Sequence, residues 1–153
     1  MPDLPNQIVV FSLDCRRYGL ALSAVERVVR MVDITPLPQA PTLIFGIINV
    51  QGQVIPVVNP RRRFRLMERN CELSDQLILA RTARRTVAFV VDVVIDVLEY
   101  TLEDSVRAQE IIPGMEYING VVKLSDGLVL IHDLDTFLSL EEEKTLDAAI
   151  GIS

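Results

Sequence analysis

Few side chains in this sequence have the type and spacing that catalysis needs. The chain has a single histidine, His132, which follows Ile131 at a predicted strand end, so most histidine-based metal sites are excluded. Asp92 and Asp96 are close in sequence, but each fits a turn or a solvent-facing strand position better than a pair of catalytic carboxylates. We therefore expect His132 to be structural and expect no catalytic residues.

The two cysteines, Cys15 and Cys71, lack the spacing of metal ligands and are predicted to be free thiols in a reducing cytoplasm. The sequence also lacks the glycine-rich phosphate loops and the nucleophile elbow that mark common enzyme folds. We therefore predict no cofactor and no metal. This favours a binding module over the competing class, an enzyme or a small-molecule-binding barrel.

A run of arginines at residues 61–65, interrupted only by Phe64, could bind nucleic acid. The whole chain, however, has a formal net charge of −6. Residues 1–75 carry 9 basic and 7 acidic side chains, whereas residues 76–153 carry 6 and 14. A net acidic chain argues against nucleic acid as a partner, so we predict a solvated helical face here. A salt-dependent shift with random-sequence nucleic acid would support the rival interpretation.

The stretch from Gly46 to Pro60 has the pattern of two short strands that face each other across a tight turn. Both strands are rich in β-branched residues, which suit a half-buried pleated surface. The turn covers residues 49–53, and Gly52 can adopt a positive φ there. Pro56 has no N–H for a ladder, so its strand is predicted to lie at an edge or to carry a bulge. A helical turn can begin at Pro60.

A second copy of this hairpin follows 74 residues later. The shift aligns Gly46 with Gly120 and places apolar residues on apolar residues along both strands. The turn glycine slips by one position, so that Gly52 faces Gly127. The predicted structural turn residues are Gly46, Gly52, Pro56, Gly120 and Gly127. The pattern predicts an internal duplication with two similar β subdomains. Valine in place of Gly46 or Gly120 is predicted to destabilise the fold by about 1–3 kcal/mol.

The pattern along the chain predicts an all-β protein with short helical turns and a C-terminal helix. Runs of β-branched and alternating residues predict strands at 7–13, 18–22, 27–32, 76–81, 86–91 and 95–100. We expect one domain over residues 1–153, with subdomain 1 at about 7–68 and subdomain 2 at about 74–138. The terminal helix is expected at about 140–150, with acidic residues in its first turn.

Composition limits where the chain can reside. Half of its residues are apolar, so disorder is not expected. The most hydrophobic run, residues 87–98, is short and contains Asp92 and Asp96. Such a run does not insert into a bilayer, and the first residues do not have the pattern of a signal peptide. We therefore expect a cytoplasmic protein with no direct membrane insertion.

Several short motifs occur in a fixed order over roughly residues 7 to 150. They are Phe11-x-Leu13, Tyr18-Gly-Leu20, Val25-x-x-Val28, Pro36-x-Pro38-x-x-Pro41, Gly46-Ile-Ile-Asn49, Gly52, Pro56-Val-Val-Asn59, Val90-Val-Asp92, Gly120 and Leu130-Ile-His-Asp-Leu134. In order and spacing the sequence resembles the CheW family of chemotaxis coupling proteins. The ending Leu138-Ser-Leu-Glu-Glu-Glu143 fits the same resemblance.

This resemblance implies two five-stranded, SH3-like β-barrels that pack side by side. It also implies a non-catalytic adaptor between the cytoplasmic tip of a methyl-accepting chemoreceptor and the regulatory domain of a CheA-type histidine kinase. In the family, the receptor binds in the groove between the barrels and the kinase binds at apolar barrel ends. Such an adaptor is cytoplasmic and is recruited to membrane-associated receptor arrays.

The sequence departs from the family pattern at two positions. The family usually has Asn-Leu-Arg-Gly at the central turn, where this chain has Gln51 in place of the arginine. It also tends to have a glutamate two residues after Val25, where this chain has Arg27. The receptor-binding candidates are therefore Val25, Arg27, Asn49 and Gln51.

We expect Arg27 and Gln51 to lie close together, so that Arg27 can donate to the Gln51 amide oxygen. The alternative function is that of a divergent scaffold in a non-flagellar chemosensory system, such as surface motility or second-messenger control. Receptor binding would then be altered or lost.

Overall fold

The computed structural model describes residues 6–64, 66–100, 105–106, 118–124, 127–132 and 134–151. Within them, the strands are β1 (Asn6–Leu13), β2 (Arg16–Ala21), β3 (Val25–Arg30), β4 (Ile44–Val50), β5 (Gln53–Val58), β6 (Gln76–Arg81), β7 (Thr86–Val91), β8 (Val93–Tyr100), β9 (Ser105–Val106), β10 (Ile118–Leu124) and β11 (Gly127–His132). The helices are a 3₁₀ turn (Leu22–Ala24), α1 (Pro60–Arg63), α2 (Leu134–Phe137) and α3 (Leu140–Ile150).

The strands form two sheets, which confirms the all-β prediction and the two SH3-like subdomains. The first sheet has the order β8-β1-β2-β11-β10-β9, where β9 is a two-residue strand, and the second has the order β3-β6-β7-β5-β4. Neighbouring strands are antiparallel except for two pairs, β11 with β2 and β5 with β7. The two parallel pairs occupy equivalent places in the two sheets.

The first sheet takes strands from both ends of the chain, and the second takes its strands from the middle. The hairpin β1–β2 joins β8, β10 and β11, whereas the hairpin β6–β7 joins β3, β4 and β5. The exchange occurs at two short crossovers, the 3₁₀ turn Leu22–Ala24 between β2 and β3 and the single residue Asp92 between β7 and β8. The predicted boundaries at residues 68 and 74 therefore do not separate the strands of one sheet from those of the other.

The predicted duplication is confirmed in the register of the two hairpins. Gly46 pairs with Val57 in the first hairpin, and Gly120 pairs with Ile131 in the second, at a spacing of 74 residues on both strands. A bulge interrupts each ladder just before the glycine. In the first hairpin, a Cβ on Gly46 would lie 2.2 Å from the backbone oxygen of Thr35. Glycine is therefore required there.

Pro56 corrects one expectation. It lies inside β5, opposite Ile47, and not in a turn. Strand β5 lies between β4 and β7, so it is not an edge strand. The proline is tolerated because the parallel ladder with β7 begins only at Val57. The bulge that the sequence suggested is on the partner strand β4.

The largest core cluster lies between the two sheets and joins them. It contains fully buried side chains from both sheets, among them Phe11 and Leu20 from the first and Ile78 and Phe89 from the second. The C-terminal helix α3 covers one side of this cluster with Leu146. The helix begins with a capping box formed by Ser139 and Glu142, which satisfies the first amide groups of its N-terminus.

Candidate partner-binding site

The turn between β4 and β5 forms one rim of the second sheet. Val50 pairs with Gln53, so Gln51 and Gly52 are the central residues, with φ values of 52° and 86°. Two positive φ values define a type I′ turn, which matches the twist of a hairpin. The Asn49 side-chain oxygen accepts a 2.8 Å hydrogen bond from the Gly52 N–H. Asn49, a predicted receptor-binding residue, therefore also holds the turn in place.

Arg27 reaches this turn from β3, at the opposite edge of the same sheet. A bulge between Val25 and Arg27 shifts the register of β3 against β6. The Nη2 atom of Arg27 donates to Oε1 of Gln51 over 3.4 Å, and both side chains are exposed. This hydrogen bond confirms the predicted contact. It connects β3 with the end of β4, the two outer strands of the second sheet.

Val25 and Glu26 are placed differently from Arg27. Val25 is half-buried and packs against the largest core cluster, so less of its side chain is exposed than that of Arg27. Glu26 lies at the bulge, and its carboxylate accepts a 2.8 Å hydrogen bond from the hydroxyl of Thr86 on β7. The rim at Gln51 therefore carries a positive charge without a neighbouring carboxylate to neutralise it within the described residues.

The arginine run is not the solvated face that we expected. Arg61 is buried and forms ion pairs with Asp14 in the β1–β2 turn and, at 2.5 Å, with Asp92 at the crossover. Burial raises the pKa of Asp92, but the hydrogen bonds from Arg61, the Asp14 N–H and Arg69 outweigh it and leave this pKa below its usual value. Sequence reasoning missed this site because Asp14 and Asp92 are distant in sequence. Their positions at strand ends were the only signal.

The other described arginines of the run are also paired with carboxylates. Arg62 pairs with Glu68 at 3.0 Å, and Arg63 pairs with Glu142 on α3. These contacts attach α1 to Glu68 in the segment that follows it and to the C-terminal helix α3. Guanidinium groups that are engaged in this way are not displayed together for a phosphate backbone, which argues against the nucleic-acid interpretation.

His132 is fully enclosed by aromatic rings. Its ring centroid lies 4.1 Å from that of Phe64, 5.4 Å from Phe11 and 5.2 Å from Tyr18. Neither ring nitrogen has a hydrogen-bond partner within the part of the chain that the structure describes. Burial lowers the pKa of His132 to about 3, because the charged imidazolium would lose its hydration. This environment supports the expected structural role and keeps the ring neutral at physiological pH.

The described residues offer little for other chemistry. Cys15 is exposed and Cys71 is half-buried, and both are free. No group of three or more His, Cys, Asp or Glu within the described ranges is arranged to hold a metal ion. No helix in this part of the chain is long and apolar enough to cross a membrane.

Comparison with known proteins agrees with this geometry. The family model of the CheW-like domain matches residues 7–142. A chemotaxis protein CheW from Treponema pallidum is 28% identical over 146 residues, covering 92% of this chain and 86% of the relative. The Thermotoga maritima chemotaxis protein CheW is 28% identical over 145 residues, covering 94% and 93%.

A solved structure extends the similarity to the fold. The crystal structure of the scaffolding protein TtCheW from Thermoanaerobacter tengcongensis matches with a TM-score of 0.83 at 28% identity, over 91% of this chain and 96% of that chain. The family match covers most of the sequence and the fold match covers both sheets. The chain therefore belongs to the CheW-like domain family.

Proposed function

We propose that this chain is a non-catalytic scaffold of a chemotaxis or chemosensory pathway. It couples the cytoplasmic tip of a methyl-accepting chemoreceptor to the regulatory domain of a CheA-type histidine kinase. The observation that carries the proposal is the match to a scaffolding protein over 91% of the chain at a TM-score of 0.83. The protein acts in the cytoplasm, at receptor arrays on the membrane.

The receptor-binding surface is the rim formed by Arg27, Asn49 and Gln51, and it includes the half-buried Val25. The exposed guanidinium of Arg27 and the rigid type I′ turn present polar groups in a fixed arrangement. A rim with a positive charge selects a receptor segment that supplies an acidic or neutral polar group, because a positive group would be repelled.

The kinase-binding surface consists of apolar side chains at the ends of the two duplicated hairpins. Val54 and Leu128 occupy equivalent positions, 74 residues apart, and are 53% and 58% exposed. Exposed apolar side chains at corresponding barrel ends suit a small signalling contact with micromolar affinity, about −8 kcal/mol.

Two titrations test the proposal. The purified chain is titrated with a CheA-type regulatory domain and, separately, with a chemoreceptor tip fragment from the same organism. We expect binding to both, with Leu128→Lys, on the other sheet, weakening the kinase contact and leaving the receptor contact intact. Val54→Lys should also weaken the kinase contact, but it lies opposite Asn49 and does not separate the two surfaces. Arg84→Lys, an exposed site outside both surfaces, is the control.

Each negative result has a distinct meaning. Absence of kinase binding at about 100 μM to every regulatory domain of the organism contradicts the coupling function. Kinase binding without receptor binding supports the alternative, a divergent scaffold whose receptor contact is altered or lost.

A further inference from the structure

A cavity of about 90 Å³ lies where the turn between β6 and β7 meets the corner between α2 and α3. The turn and the helical corner line it with Thr82, Ala83, Arg84, Leu134, Leu138, Leu140 and Glu143. One water molecule needs only roughly 10–15 Å³, so the cavity has room for several non-hydrogen atoms of a ligand. It shares no lining residue with the receptor and kinase surfaces proposed above.

Glu143 places a buried carboxylate in the wall of this cavity, since the residue is only 6% exposed. The Nη2 atom of Arg85 lies 3.0 Å from Oε2 of Glu143, yet Oε2 accepts no hydrogen bond from the described part of the chain. The same Nη2 atom also pairs with Asp147. A buried carboxylate oxygen without a hydrogen-bond donor is costly in free energy, so a ligand that supplies a donor here is favoured.

The charge and the surface of the wall indicate which kind of donor fits. Arg85 provides one positive charge for the two carboxylates of Glu143 and Asp147, so this group favours a further cation. Arg84 also lines the cavity, but its side chain is exposed, and water screens its charge more than that of the buried Glu143. The leucines offer an apolar surface along which an aliphatic chain can pack. A primary ammonium group on an aliphatic chain satisfies both parts of the wall.

Leu140 indicates that this group belongs to a protein and not to a free amine. It is the first residue of α3, it lines the cavity, and it is 71% exposed. A small amine inside the cavity would leave most of this side chain in water, whereas a partner chain that inserts a side chain would cover it and bury apolar surface. An inserted side chain surrounded by contacts that exclude water is a common arrangement in protein interfaces.

We propose that the cavity between the β6–β7 turn and the α2–α3 corner is a docking site for a lysine side chain of a partner protein. The aliphatic part of the lysine packs along Leu134, Leu138 and Leu140, and its ammonium group donates to the carboxylate of Glu143. Lysine fits better than arginine, because an ammonium group is compact and a guanidinium group is a broad plane.

NMR titration of the purified full chain tests this proposal, with the methyl groups of Leu134, Leu138 and Leu140 as reporters. The probe is Nα-acetyl-lysine N-methylamide, and the comparison compound has norleucine, which keeps the aliphatic chain and lacks the ammonium group. We expect shifts of the three methyl signals with a dissociation constant of about 1–10 mM, because a single side chain offers few contacting atoms. The norleucine compound should bind roughly tenfold more weakly, because it makes no charge-assisted hydrogen bond.

Variants separate the buried carboxylate from a general effect of charge. Glu143→Gln should weaken binding of the lysine compound roughly tenfold, because the ammonium group loses its charged acceptor. Glu141→Gln is the matched control, since it makes the same charge change at an exposed residue of α3 that does not line the cavity. Its affinity should stay within about threefold of the parent. Circular dichroism checks that the variants fold. If Glu143→Gln does not fold, Leu140→Ser provides the test at an exposed site and should weaken binding about threefold.

Three results would overturn the proposal. The first is the absence of methyl shifts at about 50 mM of the lysine compound. The second is equal affinity for the lysine and norleucine compounds, which would show that the carboxylate does not select a cation. The third is tighter binding of n-butylamine than of the lysine compound, which would show that the cavity admits a free amine and excludes a lysine attached to a backbone.

Discussion

The guanidinium of Arg27 and the side-chain amide of Gln51 lie 3.4 Å apart. They link β3 and β4, which are the two outer strands of the five-stranded sheet. Arginine donates and the amide oxygen accepts, so one positive charge remains exposed at the rim. An acid and an arginine at the same two places would leave no net charge. The exposed charge is therefore a property that a receptor segment can distinguish.

The double substitution Arg27→Glu with Gln51→Arg should increase affinity for a generic chemoreceptor tip. It reverses the charge at the β3 position and places a guanidinium on the turn, as the resemblance to the family suggests. Since the site is exposed, the free energy of unfolding should change by only about 0–1 kcal/mol. Isothermal titration of parent and variant against one receptor fragment measures the effect.

The same two proteins titrated against the kinase regulatory domain provide the control for this prediction. Kinase affinity should stay within about threefold, under roughly 0.7 kcal/mol, because neither Arg27 nor Gln51 belongs to the apolar kinase surface. Unchanged or reduced receptor affinity would show that the receptor does not contact the rim through Arg27 and Gln51.

Substitution of Gly46 should be far more costly than substitution of Gly127. Alanine at Gly46 would place its Cβ 2.2 Å from the backbone oxygen of Thr35 at a φ of 156°. Backbone must move to relieve this contact, so Gly46→Ala should lower the free energy of unfolding by about 3 kcal/mol. At Gly127 the nearest atom is the flexible end of Arg17, and Gly127→Ala should cost about 1 kcal/mol.

Urea unfolding with a constant m-value measures both alanine variants. The prediction for Gly46 is wrong if its variant is as stable as that of Gly127. Valine at Gly46 or Gly120 remains predicted to cost about 1–3 kcal/mol, with Gly46 at or above the upper end because of the Thr35 contact.

Most strands and the duplication could be predicted from the sequence because these features depend on neighbouring residues. Strands β6 and β7 lie at the predicted residues 76–81 and 86–91. The sheet to which each hairpin belongs could not be predicted. The hairpins β1–β2 and β6–β7 have similar patterns, and by pattern alone either could pair with the strands of either sheet. Only the short crossovers at Leu22–Ala24 and Asp92 show that the hairpins are exchanged.

The candidate site was predictable only in part, because sequence patterns report on neighbouring residues and not on distant partners. The Arg27–Gln51 contact follows from the order of strands in a small barrel, whereas the burial of Arg61 depends on residues 47 and 31 positions away. Patterns within a short window carry no information on such distant partners. An arginine run therefore looks solvated in sequence even when one of its members is buried.

Arg61 and Arg62 should differ sharply in their contribution to stability, although they are adjacent. Arg61→Ala leaves the Asp14 and Asp92 carboxylates without their shared partner, at the point where the chain crosses between sheets. We expect a loss of about 3 kcal/mol, at the lower end for breaking a buried ion pair because Asp92 keeps Arg69. The exposed Arg62–Glu68 pair should contribute about 0–1 kcal/mol.

Thermal and urea unfolding of Arg61→Ala and Arg62→Ala compare the two sites within one short helix. Both changes remove one positive charge, so a general effect of net charge cancels in the comparison. Similar losses for the two variants would show that the Arg61 contacts do not stabilise the crossover.

His132 should make the protein less stable in mild acid. Its pKa is about 3 in the folded chain and 6.5 in the unfolded chain. The unfolded state binds the proton more readily than the folded state. The stabilising contribution of His132 is therefore fully present above about pH 6.5 and is lost as the pH falls toward 3. Between pH 8 and pH 5 this single group should lower the free energy of unfolding by about 2 kcal/mol.

His132→Phe isolates this contribution, because phenylalanine fits an aromatic cluster and cannot take up a proton. Carboxylates such as Asp92, whose pKa is lowered in the fold, lose their stabilising effect only at more acidic pH and do so in both proteins. Urea unfolding at pH 8, 6.5 and 5 should therefore show a smaller acid loss in the variant, by about 2 kcal/mol. His132→Leu serves as a second variant if phenylalanine packs poorly. Equal acid losses in the parent and both variants would mean that the buried imidazole gains a proton without unfolding, and that its enclosure by Phe11, Tyr18 and Phe64 does not exclude the charge.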